Sequence, residues 1–212
     1  MNEAKVTEIN SGKRVYLRLD SEALSWRCKN QSTNTVQLKD ITGFAKSSSR
    51  TSTILLPVPA KMPTNKRVSF AVESAGETWA FEAEWVLGLH NLVTKAKGNL
   101  LALDSIATQI AKKTERQRAI PFLQELAKGK IVWHDIVISV SARTLQQGDN
   151  IIYLGEQYFV SNLYGEIVFN KNKRLGWGKS GKVKIPLDAM NADMIMKLLH
   201  ISFQVPKDIP VL

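Results

Sequence analysis

The sequence predicts an α+β protein made of many short strands and a few helices. Three observations carry this. Apolar and polar residues alternate at period two through much of the first 85 positions, apolar residues recur at helical spacing from about 100 to 119, and a second series of short β-rich segments ends in a helical stretch.

In chain order, Lys5 to Ile9 is a weak strand and Asn10-Ser11-Gly12 a turn. Val15, Leu17 and Leu19 alternate with Arg14, Tyr16 and Arg18, the spacing of a half-buried strand. Asp20-Ser21-Glu22 turns the chain into Leu24-Ser25-Trp26-Arg27-Cys28, and a polar stretch then leads to a fourth strand over Thr35 to Phe44. Lys46 to Thr53 reads as a Ser/Thr/Lys/Arg loop, and Ile54 to Val58 as an edge segment because of its prolines. Arg67 to Glu73 pairs with Glu77 to Phe81 across Ser74-Ala75-Gly76. Trp85, Leu89, Leu92 and Val93 then fall near helical spacing, predicting a helix from Glu84 to Lys95 that stops at Gly98.

The order of Tyr16-x-x-Leu19, Leu24-x-Trp26, Leu38-x-Asp40-Ile41 and a helix opening Glu84-Trp85-Val86 resembles a pleckstrin-homology domain over residues 4–97, within a first domain of 1–98. The resemblance implies a strongly bent seven-stranded sheet plugged by its C-terminal helix, with Trp85 as the apolar anchor. It also implies docking on an anionic phospholipid surface or a protein partner. Members that bind phosphoinositides carry basic residues on the first two strands, which here makes Lys5, Lys13, Arg14, Arg18 and Lys29 the candidate anion ligands. Val15 stands near the register where such members place an arginine, so headgroup selectivity is expected to be weak.

Beyond Gly98, Leu103, Ile106, Ala107, Ile110 and Ala111 define an amphipathic helix over about 100–119 with Lys112, Lys113, Arg116 and Arg118 at its far end. Pro121 is expected to open a second short helix ended by Gly129, so that 99–129 forms a helical connector. Residues 130–212 form a β-rich domain: strands over Ile131 to Val140, Asn150 to Leu154, Gln157 to Leu163, Glu166 to Phe169 and Val183 to Leu187, then a helix from Ala192 to His200. Strands followed by a helix make a second pleckstrin-like barrel conceivable on element order alone.

A net charge of +10, spread as +5 up to residue 97 and +5 after it, predicts anionic partners. The densest stretch is a basic loop from Lys171 to Lys184, in which Lys171, Lys173, Arg174, Lys179, Lys182 and Lys184 surround Trp177 without one acid. Such a loop suits a membrane surface, or nucleic acid in the competing reading that adds the 112–118 helix face. Its Gly176-x-Gly178-x-x-Gly181 spacing is not a nucleotide fingerprint, because Lys182 to Leu187 reads as a strand where a helix N-terminus is needed.

A third reading compares Arg14-x3-Arg18 and Asp40-x-Thr42 with the cyclic di-GMP motifs of PilZ domains. Thr42 and Ala45 depart from the serine and glycine of that pattern. No metal-ligand spacing joins His90, His134 (expected in a strand), His200 and Cys28, and no catalytic constellation is visible, so the expectation is a non-enzyme without cofactor or metal. The single cysteine, the absence of an apolar opening segment and apolar stretches too short for a bilayer predict an intracellular protein, cytoplasmic or peripheral to a membrane.

Overall fold

The computed structural model describes residues 2–55, 60–86, 93–163, 165–171 and 181–206, with side chains over the same residues except 2, 50–64 and 86–97. The fold is α+β, and the chain divides into two compact units, Met1–Gln117 and Arg118–Leu212.

The first unit holds β1 (Asn2–Glu8), β2 (Lys13–Leu19), β3 (Ala23–Cys28), β4 (Asn34–Gln37), a 3-10 turn (Leu38–Asp40), β5 (Gly43–Leu55), β6 (Ala60–Ser74) and β7 (Glu77–Val86). They form one curled antiparallel sheet in the order β4-β3-β2-β1-β7-β6-β5. Period-two alternation places Val15, Leu17 and Leu19 inside and leaves Arg14, Tyr16 and Arg18 outside, as expected for β2. The β6–β7 hairpin turns at Ala75 and Gly76, both at positive φ (51° and 81°), the primed turn whose twist matches a hairpin. Inside, Trp26 meets Phe81 edge-on at 5.2 Å between ring centroids. The long helix α1 (Val93–Ala127) packs on this inner face with Leu100, Leu103, Ile106, Ala107 and Ile110, all buried. Each of these leucines and isoleucines contributes about 1.5–3 kcal/mol by leaving water. The segment read as a connector thus supplies part of this core.

Seven strands followed by a helix agree with the sequence reading, but several elements differ. Trp85 is not on a helix: it lies on β7, opposite Lys66 of β6, and is half-buried against the core. The Trp85-Leu89-Leu92-Val93 spacing mimics a helix, whereas long-range pairing with β6 fixes Trp85 as strand. The expected loop over Lys46 to Thr53 is instead the body of β5, since its serines and threonines pair with β6. The expected strand over Thr35 to Phe44 breaks at Leu38–Asp40, with β5 starting only at Gly43. Pro121 starts no new helix, because α1 runs through it. A missing N–H forfeits one helical bond, and beyond the proline Phe122 and Leu126 hold the helix against the second unit's core.

The second unit opens with an antiparallel meander of β8 (Lys130–Trp133), β9 (Ile136–Ser139), β10 (Thr144–Gln147) and β11 (Asn150–Tyr153). A three-stranded sheet follows, with β13 (Glu166–Asn170) between β12 (Phe159–Leu163) and β14 (Lys182–Pro186), and then α2 (Ala192–Phe203). One core joins Ile131, Ile138 and Ile152 of the first sheet to Phe169, Val183 and Ile185 of the second and to Ile195, Leu199 and Phe203 of α2. The stretch read as one strand from Ile131 to Val140 is two, because His134 takes a left-handed conformation (φ 52°) in the turn between β8 and β9. β10 went unread, since Gln146 and Gln147 look like loop residues although Leu145 anchors them to the core. Among the described residues no helix is long and apolar enough to cross a membrane.

Candidate anion-binding face

The outer face of β1–β2–β3 gathers several cations of the first unit. Because Val15, Leu17, Leu24 and Trp26 point inward, their neighbours Arg14, Tyr16, Arg18 and Arg27 are forced out. The register sets Lys5 opposite Tyr16, and Tyr16 opposite Arg27, in one row across three strands. Arg14 and Arg18 lie two residues either side of Tyr16 along β2, about 7 Å away each by strand geometry. Lys5 holds its Nζ 5.6 Å from the centre of the Tyr16 ring, a cation–π contact. Glu3, opposite Arg18, is the acid on this patch, yet none of Lys5, Arg14, Arg18 and Arg27 forms an ion pair with a carboxylate among the described residues.

Three clefts mark this face. One of about 220 Å³ is bounded by Arg18, Arg27 and Tyr16, and one of about 420 Å³ by Tyr16, Arg27 and Lys29, with Glu3 on the wall of both. The third, about 440 Å³, has Lys5 and Arg14 on one side and Glu82 and Glu84 on the other, so the positive field ends at β7. Guanidinium forks on a rigid sheet can grip planar or tetrahedral anions with two bonds each.

Of the predicted ligands, Lys5, Arg14 and Arg18 are therefore brought together, and Lys29 borders one cleft. Lys13 is exposed at the β1–β2 hairpin, outside the clefts, where its backbone N–H donates to Ser11 Oγ. The reading missed Arg27 and Tyr16, although the Leu24-Trp26 alternation already pointed Arg27 outward. In the second unit, Lys184 is paired with Glu166 at 2.8 Å, Lys171 lies over the Tyr153 ring, and Lys182 takes its place on β14. Lys173, Arg174, Trp177 and Lys179 lie outside the described residues. Lys182 continues as strand, as expected, so the glycine-rich spacing before it meets no helix N-terminus.

The helix face over 112–118 is not one basic stripe. Arg118 is wholly buried beside Asp193, and Lys113 donates to the backbone carbonyls of Asp20 and Ser21. Asp40 lines a cavity apart from the clefts of Arg14 and Arg18, so the residues compared with a cyclic di-GMP motif line different openings. His200 sits on α2 as expected, its Nδ1 2.7 Å from the carbonyl of Val205. His90 is outside the described residues, and Cys28 is half-buried at the end of β3. Among the described residues no group of His, Cys, Asp and Glu has the arrangement of a metal site.

No family model matches this sequence, no curated protein is significantly similar to it, and no solved structure matches the fold significantly.

Proposed function

We propose that this chain is a non-catalytic docking protein whose first unit settles on an anionic membrane surface through the outer face of β1–β3. The observation that carries the reading is the set of four cations without carboxylate partners around Tyr16 on a rigid sheet. Lysine and arginine near an anionic bilayer each contribute about 1 kcal/mol, and a tyrosine flanked by cations suits the headgroup boundary. Supporting it, the element plan of the first unit is compatible with a pleckstrin-homology domain. A four-stranded and a three-stranded sheet followed by α2 give the second unit a similar plan, and the basic 171–184 segment adds charge there.

One feature favours nucleic acid as a second reading: an exposed aromatic ring among cations is also a stacking platform for bases. The test is co-sedimentation of the full chain with vesicles of phosphatidylcholine alone or with phosphatidylserine, challenged by short single- and double-stranded oligonucleotides at one ionic strength. Binding only to the phosphatidylserine vesicles, falling with salt and resisting the oligonucleotides, is the expected result. Stoichiometric displacement by either oligonucleotide transfers the site to nucleic acid, and no binding at low salt ends the proposal.

A further inference from the structure

Beside Trp26 and Trp79 lies a cavity of about 510 Å³ whose chemistry is opposite to that of the basic face. Its wall contains Trp26, Trp79 and Val36, and its rim contains Asp40 and Glu77. Trp79 is partly buried and tilted against Trp26, with ring centroids 5.5 Å apart, and it borders the cavity. No lysine or arginine is among the residues bounding the cavity. Neither Asp40 nor Glu77 is ion-paired among the described residues. In a chain of net charge +10, two uncompensated carboxylates beside an indole form a local inversion of the field.

A second feature points the same way. The side chain of Trp26 is 2% exposed, and its indole N–H, like that of Trp85, has no acceptor among the described residues. Buried donors are nearly always satisfied, by protein or by ordered water, and Trp26 borders this cavity, so an acceptor brought in by a ligand can serve it. A bare inorganic cation offers none. A peptide offers both a cationic side chain for the carboxylates and the indole, and carbonyl oxygens for the donor.

We infer that this cavity receives an arginine side chain presented by a protein segment, the guanidinium lying on the Trp79 ring and donating to Asp40 and Glu77. A planar, weakly hydrated guanidinium stacks on an indole and bonds carboxylates at its edge, which a compact ammonium does less well. The acidic rim shares no residue with the membrane-docking face, although Trp26 borders both this cavity and the Arg18–Arg27 cleft.

The experiment uses the full chain labelled with nitrogen-15, whose five tryptophans give indole N–H resonances, that of Trp79 being assigned with Trp79→Phe. The probes are acetyl-Gly-Arg-Gly-amide and the same peptide with citrulline, a neutral isostere of arginine. The arginine peptide is expected to shift the Trp79 resonance saturably and to bind at least about tenfold tighter than the citrulline peptide. Asp40→Asn with Glu77→Gln, both exposed positions, is expected to erase that preference while the other resonances stay in place. Equal binding of the citrulline peptide, an undiminished preference in the double variant, or a Trp79 resonance unmoved by millimolar arginine peptide overturns the inference.

Discussion

Arg118 and Asp193 are joined by two parallel hydrogen bonds, Nη1 to Oδ1 and Nη2 to Oδ2, each 2.8 Å long, with the guanidinium wholly buried. Nη1 also donates to Oδ1 of Asn191 at 3.2 Å. The pair ties the C-terminal part of α1 to the first turn of α2 inside the second unit, where a carboxylate also complements the helix dipole.

A buried ion pair is a weak source of stability but costly to break from one side. Asp193→Ala is therefore expected to cost about 3 kcal/mol in chemical denaturation, since it strips the guanidinium of both short bonds. Arg118→Met is expected to cost less, because it leaves no buried charge and Asp193 can turn to water. Equal losses in the two variants would show that packing, not charge, sets the value of the site.

In the first unit, Trp26→Ala is expected to cost about 3–5 kcal/mol, since the ring is buried between Trp79 and Phe81. Trp85→Ala, at a half-buried strand position, should cost about half as much. A thermal melt in which the two variants shift equally contradicts this ranking.

Asp20 provides a pH test. Its Oδ1 accepts from the backbone N–H of Glu22 at 2.9 Å and of Ala23 at 2.7 Å, and these bonds, with smaller help from Arg18 and Lys113, hold its pKa below the ordinary 3.8. A depressed folded-state pKa means that the unfolded chain takes up the proton first as the pH falls. The contribution is thus present above 3.8 and fades as pH drops through the folded value. Carbon-13 titration of the Asp20 carboxyl is expected to show a midpoint below 3.8, and Asp20→Asn to remove that part of the acid limb. A midpoint at or above 3.8 would mean that the turn is open in solution.

For the basic face, combining Arg14→Gln, Arg18→Gln and Arg27→Gln removes about 3 kcal/mol of attraction at about 1 kcal/mol per charge. Partition onto phosphatidylserine vesicles should fall on the order of 100-fold at low salt. The melting temperature should hardly move, since exposed charges add little to folding. Vesicle binding that survives the triple substitution would detach the membrane reading from this face.

How much of this was legible varied with where the information lies. The alternation around Val15-Leu17-Leu19 is local, and so was readable, as was the outward direction of Arg14 and Arg18. Lys46 to Thr53 and Trp85 were misread because their conformation is set by pairing with β6, which no neighbouring residue announces. Arg118 is subtler. Leu103, Ala107, Ile110, Thr114 and Arg118 lie on one buried stripe of α1, so spacing did place position 118 inside, and only the identity of the residue argued for solvent. The cavity at Trp79 was invisible for the same reason as β5: Asp40 and Glu77 come to border one cavity only through the tertiary fold.

The strand order has a kinetic consequence. All seven strands lie beside a neighbour in sequence, within β1–β4 or β5–β7, and the two arrays meet between β1 and β7, where Thr7 pairs with Glu82 and Glu8 with Phe81, about 75 positions apart, and the Ile9 N–H donates to the Ala80 carbonyl. Hairpins close in microseconds, whereas a contact of such separation waits on the loop-closure entropy of the chain between. The seam between β1 and β7 is thus the natural rate-limiting step in folding of the first unit, and its few rungs the place where amide exchange should first reveal opening of an otherwise continuous sheet.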